Sequence, residues 1–100
     1  MTDDAVGTRL LYESRETRVW LLELQPGEAT DWHQHSCDYT YVVVQPGRHR
    51  TEYEDSALSE KEDAVGDATY VRRDQRHRLV NTGGTPYVNV VVELLTTRPE

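Results

Sequence analysis

DWHQHSCDYTYVVVQPG, residues 31–47, sets two histidines one residue apart just ahead of a run that alternates aromatic and β-branched side chains. Successive side chains of a strand point to opposite faces, so His33 and His35 share a face, roughly 6.5–7 Å apart along the chain. Two imidazoles so placed can converge on one metal ion, or can form a polar patch. The run that follows, 39–44, carries large side chains in both alternating sets, as does 87–95; a sheet covered on both faces reads in this way.

Outward from this stretch the chain is punctuated at short intervals by Gln25-Pro26-Gly27, Gln45-Pro46-Gly47, the polar stretch 55–67 and Thr82-Gly83-Gly84-Thr85-Pro86. The runs between are rich in Val, Tyr, Leu and Thr, the pattern of an all-β sandwich or barrel. Strands are predicted at 8–14, 17–24, 30–35, 39–44, 48–53, 68–72, 77–81 and 87–95. Residues 56–64 are acidic and too short to be a stable helix alone, and read as an exposed loop or hairpin tip. A chain of 100 residues can bury one modest core, so a single domain over 1–100 is expected. If both faces of the 39–44 and 87–95 strands are covered, the second cover is most easily another copy of the chain, which predicts a homodimer.

The formal net charge of −7 argues against nucleic acid or an anionic membrane as the main partner. A small-molecule partner stays open. Met-Thr-Asp-Asp at the start has no basic or apolar leader character, and no apolar run has the length to cross a bilayer, so a cytoplasmic location is expected. The one cysteine, Cys37, has no intrachain disulfide partner, which leaves packing or a metal site to hold the fold.

Two spacings go further. Gly27, five residues, His33, one residue, His35, four residues, Thr40, six residues and Gly47 form the first; Gly66, five residues, Arg72, one residue, Asp74, two residues, His77, three residues and Asn81 form the second. Together, in this order, they resemble the two sequence motifs of the cupin family over about residues 17–95. Thr40 stands where the first motif has glutamate, and Arg72 and Asp74 stand where the second has proline and glycine. The resemblance implies a double-stranded β-helix, a jelly-roll barrel holding one divalent metal on its inner face, with His33, His35 and His77 as ligands. Independently, two His at i and i+2 need a third donor from a neighbouring strand to make a facial set, and His77, followed by alternating Leu79 and Asn81, has that context. His49, between Arg48 and Arg50 just past a turn, reads as a solvated surface residue.

Without the glutamate the ligand set is neutral, which disfavours hard cations and leaves the ion its full charge for an anionic, chelating substrate. The site then resembles the three-histidine cupins that include thiol and diketone-cleaving dioxygenases. Fe(II) is the favoured ion, with Zn, Ni, Cu or Mn as alternatives. Thr40 reads as a non-ligand, with Asp38 on the same parity as a substitute carboxylate, and Cys37 as a buried small residue or a further donor. By that parity Tyr39 and Tyr41 fall outside the barrel. Arg72 is a candidate to pair with a substrate carboxylate, although a surface pairing with Asp74 is the plainer reading; Tyr53 and Asp38 complete the catalytic candidates.

The leading functional expectation is an Fe(II) oxygenase or a metal-assisted isomerase or lyase acting on a carboxylate- or carbonyl-bearing metabolite. A non-catalytic metal or small-ligand binding module, such as a sensor or a pathway accessory protein, is the alternative. A third reading is metal-free acid–base chemistry, marked by a carboxylate paired to a pocket histidine, with Asp38 and Glu93 as the candidates.

Overall fold

The computed structural model describes residues 5–73 and 75–99. Eight strands form two antiparallel sheets: β1 (Arg9–Glu13), β2 (Thr17–Leu24), β3 (Asp38–Gln45), β4 (Gly47–Tyr53), β5 (Leu58–Asp63), β6 (Ala68–Val71), β7 (His77–Asn81) and β8 (Tyr87–Leu94). The larger sheet runs β1-β2-β8-β3-β6 and the smaller β5-β4-β7. Sequence neighbours β3 and β4 lie in different sheets, as do β7 and β8, so the chain passes back and forth across the sandwich as a jelly roll does. Gly27 and Gly66 sit at φ +84° and +86°, a backbone region costly for any residue with a Cβ. Both end tight turns that return the chain into the barrel.

Alternation sorts the strands onto two surfaces. Leu22 and Leu24 of β2, Val43 of β3 and Tyr87 of β8 pack together inside with Leu79 and Tyr41 against them. A second cluster joins Val6, Tyr39 and Val91, flanked by Trp20 and Val71. The inward residues of β3 are therefore Tyr39, Tyr41 and Val43, while Thr40, Val42 and Val44 turn outward; Val42 and Val44 are exposed.

Two strand expectations are corrected. Residues 30–35 do not form a continuous strand: the segment meets β7 at the isolated bridges Ala29 to Val80 and His33 to His77, with Thr30 bonded to Leu79 between them. His33 instead turns its Nδ1 back to the carbonyl of Asp31, 2.8 Å away, which draws the intervening chain off the ladder. Of residues 56–64, expected as an exposed loop or hairpin tip, 56–57 belong to the turn between β4 and β5, but 58–63 are strand, since β5 pairs with β4 from Gly47 opposite Asp63 to Glu52 opposite Leu58. Its inner set, Ser59, Lys61 and Asp63, faces a polar part of the interior, so no apolar alternation announces it.

Candidate metal centre

The His33–His77 bridge is a two-way pair: each backbone N–H donates to the other's carbonyl at 2.8 Å. Directly opposite residues on antiparallel segments share a face, and the two imidazole centroids lie 4.7 Å apart. His35, two residues on, returns to that face with its centroid 5.2 Å from His33 and 5.4 Å from His77. One ligand nitrogen from each of the three comes within 4.8 Å of the others, and all three residues are buried.

The hydrogen bonds around the rings decide which nitrogens can serve as ligands. His33 Nδ1 lies 2.8 Å from the Asp31 carbonyl and His77 Nδ1 lies 3.1 Å from the Gln75 carbonyl. A carbonyl only accepts, so in both rings Nδ1 carries the hydrogen and Nε2 the lone pair. His35 is stacked on Tyr39, with centroids 3.7 Å apart and planes 15° from parallel. Burial, with the nearby His33 and His77, drives its pKa from 6.5 down to about 2. It is thus a neutral donor at any pH near 7. Three imidazoles, each with one ring nitrogen left to offer a lone pair, are a suitable donor set for a borderline transition ion, so these residues fit the metal that the motif resemblance implies.

Behind His35 stands Glu93, fully buried. Its Oε2 is 3.9 Å from His35 Nδ1 and receives the Cys37 thiol at 3.7 Å. Its Oε1 accepts from Trp20 Nε1 at 2.7 Å and pairs with Arg18 Nε at 3.2 Å. The carboxylate is fixed from β2 and held behind the His35 ring, the side from which a carboxylate can orient a histidine that binds metal.

The histidines open on a cavity of about 190 Å³, smaller than the usual range for drug-sized ligands. Tyr53 lines it, its ring 5.8 Å from His77 and edge-on. Tyr39 and Tyr41 line it too, which corrects their expected place outside the barrel. Thr40 is directed away, between Val92 and Tyr70 on the neighbouring strands. Asp38 lies on the exterior, accepting from Tyr70 OH at 2.6 Å and from the Arg73 N–H at 3.0 Å. Those bonds, Tyr70 first, hold its pKa below the usual carboxylate value. Arg72 shares an open groove with Asp38, Tyr70 and Arg73 rather than the histidine cavity; the suggested partner Asp74 lies outside the described residues. Cys37 is fully buried, a reduced thiol directed at Glu93.

His49 differs most from its expectation. It is 5% exposed, not solvated, and its Nε2 is 2.8 Å from Asp63 Oδ2. The signal was present in β4: with Arg48, Arg50 and Glu52 turned outward, the alternate set His49, Thr51 and Tyr53 faces the cavity.

A family model for the cupin domain matches residues 20–93. No curated protein sequence matches the chain. Among solved structures, a cupin domain from Bordetella pertussis Tohama I is similar with a TM-score of 0.80 at 22% identity, over 94% of this chain and 97% of that one. An uncharacterized conserved protein with a double-stranded β-helix domain from Klebsiella pneumoniae subsp. pneumoniae gives 0.74 at 19% identity, over 99% and 85%. An RmlC-like cupin family protein with a double-stranded β-helix fold from Methanocaldococcus jannaschii gives 0.72 at 16%, over 86% and 76%. At these identities the likeness concerns the fold.

Proposed function

This chain belongs to the cupin family, and on that footing we propose that it is a metal-dependent enzyme acting on a small carboxylate- or carbonyl-bearing metabolite. His33, His35 and His77 hold one divalent transition ion, Fe(II) first. The observation that carries the reading is the convergence of three buried imidazoles, two of them with the second nitrogen committed to a backbone carbonyl. Such an ion supplies Lewis acidity to a chelated carbonyl and, as iron, a place for O₂. The chain's own residues supply the rest. Tyr39, Val71, Leu79 and Val91 give the cavity apolar walls, and Tyr53 places a ring beside His77.

Metal-free acid–base chemistry at His35 is disfavoured. Glu93 is near it, but 3.9 Å is beyond a hydrogen bond, and a ring that gains a proton only near pH 2 is no base at neutrality. Element analysis of protein purified without chelators tests the metal reading, with one transition ion per chain expected. O₂ consumption with a panel of small oxo, hydroxy and thiol acids then separates an oxygenase from an isomerase, and from a non-catalytic binding module.

The same proposal includes a homodimer in the cytoplasm. The outer face of the larger sheet carries the cross-strand rows Val19–Val92–Thr40–Tyr70 and Leu21–Val90–Val42–Ala68, with Tyr12, Val42, Val44 and Tyr70 exposed. Across β2, β8, β3 and β6 these rows contain no formal charge, and on β1 Arg9 stands opposite Leu21. On a chain of net charge −7, such a face lets two like-charged copies meet without direct repulsion. The buried, reduced thiol of Cys37 suits a reducing compartment. Among the described residues no helix is long and apolar enough to cross a membrane.

A further inference from the structure

A second polar cluster lines the cavity at a distance from the three histidines. Tyr53 is the register partner of His77. His49 lies four residues back along β4, roughly 13 Å of strand. Around His49 are Asp63 from β5 and Tyr87 and Asn89 from β8, none more than 5% exposed. Asp63 Oδ2 is 2.8 Å from His49 Nε2 and 2.9 Å from Tyr87 OH, and Tyr87 OH is 3.0 Å from Asn89 Nδ2. Lys61 Nζ lies 3.5 Å from Asp63 Oδ1.

The hydrogens in this chain of contacts can run in only one direction. Burial pushes the Asp63 pKa up, but the hydrogen bonds from His49 and Tyr87 and the charges of His49 and Lys61 outweigh it, and the net shift is downward. Asp63 is therefore ionised and only accepts. Hence His49 Nε2 carries its hydrogen, and Tyr87 OH gives its hydrogen to Asp63. The Tyr87 oxygen must then accept, which fixes the amide nitrogen of Asn89 toward it. Besides Asp63 Oδ1, which faces Lys61, what remains is His49 Nδ1 and Asn89 Oδ1, both buried and without a hydrogen-bond partner among the described residues. Asn89 Oδ1 is an acceptor whatever the state of its neighbours, and in a neutral ring His49 Nδ1 is one as well, whereas a ring charged against Asp63 would present an N–H there. His49 and Asn89 line the same cavity as the metal centre, and a buried acceptor left unmatched is costly.

We infer that this end of the cavity is a hydrogen-bond-accepting subsite, built from His49 Nδ1 and Asn89 Oδ1, that holds an amino or hydroxyl group at the far end of the substrate. As a statement about the substrate of the metal centre it rests on the function proposed above; the subsite itself requires no metal. A substrate that fits both ends is a short chain with a carboxylate or carbonyl at one end and an N–H or O–H donor at the other. An alkyl terminus leaves both acceptors unmatched.

The test uses ω-amino and ω-hydroxy acids of three to six carbons against alkanoates bearing a methyl at the same place, titrated into Zn(II)-loaded and chelator-treated protein. Affinity is followed by calorimetry and the side-chain ¹⁵N resonances of His49 by NMR. At the chain length that spans the cavity, the donor-bearing acid binds about tenfold tighter than its methyl counterpart, the sum of two modest hydrogen bonds. The His49 Nδ1 resonance moves from that of a bare nitrogen toward that of a hydrogen-bonded one, and Asn89→Ala removes most of the preference. If Asn89→Ala does not fold, the wild-type ¹⁵N signal decides alone. A donor-induced shift at His49 in protein that binds no metal keeps the subsite and overturns only the metal reading. Equal binding of donor and methyl acids, an unmoved Nδ1 signal, or a free protein whose hydrogen resides on Nδ1 overturns the subsite.

Discussion

Replacing Glu93 by glutamine keeps the volume and removes one charge from the place where fold and site meet. The carboxylate is fully buried, 3.2 Å from Arg18 Nε and 3.9 Å from His35 Nδ1. Removing one member of a buried ion pair costs about 3–5 kcal/mol. Here the Arg18 side chain keeps 13% exposure and the introduced amide oxygen still accepts from Trp20, so a loss of about 2–3 kcal/mol is expected. In a domain of this size that lowers Tm by roughly 10 °C or somewhat more. Carboxylates behind ligand histidines tune metal affinity about 10–100-fold. Because the Glu93 contact to His35 is longer than a hydrogen bond, the low end, about tenfold weaker binding, is expected. Thermal melts of metal-loaded and chelator-treated protein measure the first effect, and competition with a chromophoric chelator for Zn(II) or Co(II) measures the second. A Glu93→Gln variant that loses stability but binds metal as the wild type does would refute the coupling of Glu93 to His35 and leave it as the counter-charge of Arg18 alone.

Thr40→Glu should leave metal retention unchanged, because Thr40 faces away from the cavity between Val92 and Tyr70; slower metal dissociation from this variant would show that position 40 reaches the ion. Metal-free protein should lose about 2 kcal/mol of stability between pH 7 and pH 5 from His35 alone. Its folded pKa, about 2, lies below the ordinary 6.5, so the unfolded chain takes up the proton first, and stability is complete above about pH 6.5 and falls as the pH drops. Equal denaturant midpoints at the two pH values would contradict this. Wild type should sediment as a dimer at micromolar concentration, and Val42→Asp, on the exposed sheet face, should shift it to monomer; a wild type monomeric at high concentration rules the dimer out.

The strands of the large sheet are legible in the sequence as apolar, β-branched runs between turn residues, and the three histidines through motif spacing, although 30–35 is not a continuous strand. In β8, Tyr87, Asn89, Val91 and Glu93 are all buried on one face, but the opposite set, Val88, Val90, Val92 and Leu94, is the more apolar, so the strand is legible and its inner face is not. β5 is hidden because Ser59, Lys61 and Asp63 face a polar cavity wall while Leu58, Glu60 and Glu62 face outward; neither set stands out from the other. Asp63 becomes a site residue only when the β4–β5 ladder brings it beside His49, a contact no local pattern encodes. Motif spacing misplaces Tyr39 and Tyr41 because it takes position 40, where the resembled motif has glutamate, as the inward one; simple alternation from His33 and His35 puts 39 and 41 on the histidine face. The chain bends at Ser36 and Cys37 before β3 begins at Asp38, and Tyr39 rather than Thr40 stacks on the His35 ring.

Metal stoichiometry of wild type and His77→Ala, measured on the same preparations by element analysis after loading with one transition ion and desalting, tests the central claim most directly. Wild type and the control Arg72→Ala, altered in the outer groove, should each retain one ion per chain. His77→Ala should retain less than about a tenth of an equivalent, since two neutral imidazoles with no anionic ligand do not hold a transition ion through desalting. A folded His77→Ala protein that keeps its full equivalent, or a wild type that keeps none, would contradict the assignment of His33, His35 and His77 as a metal centre.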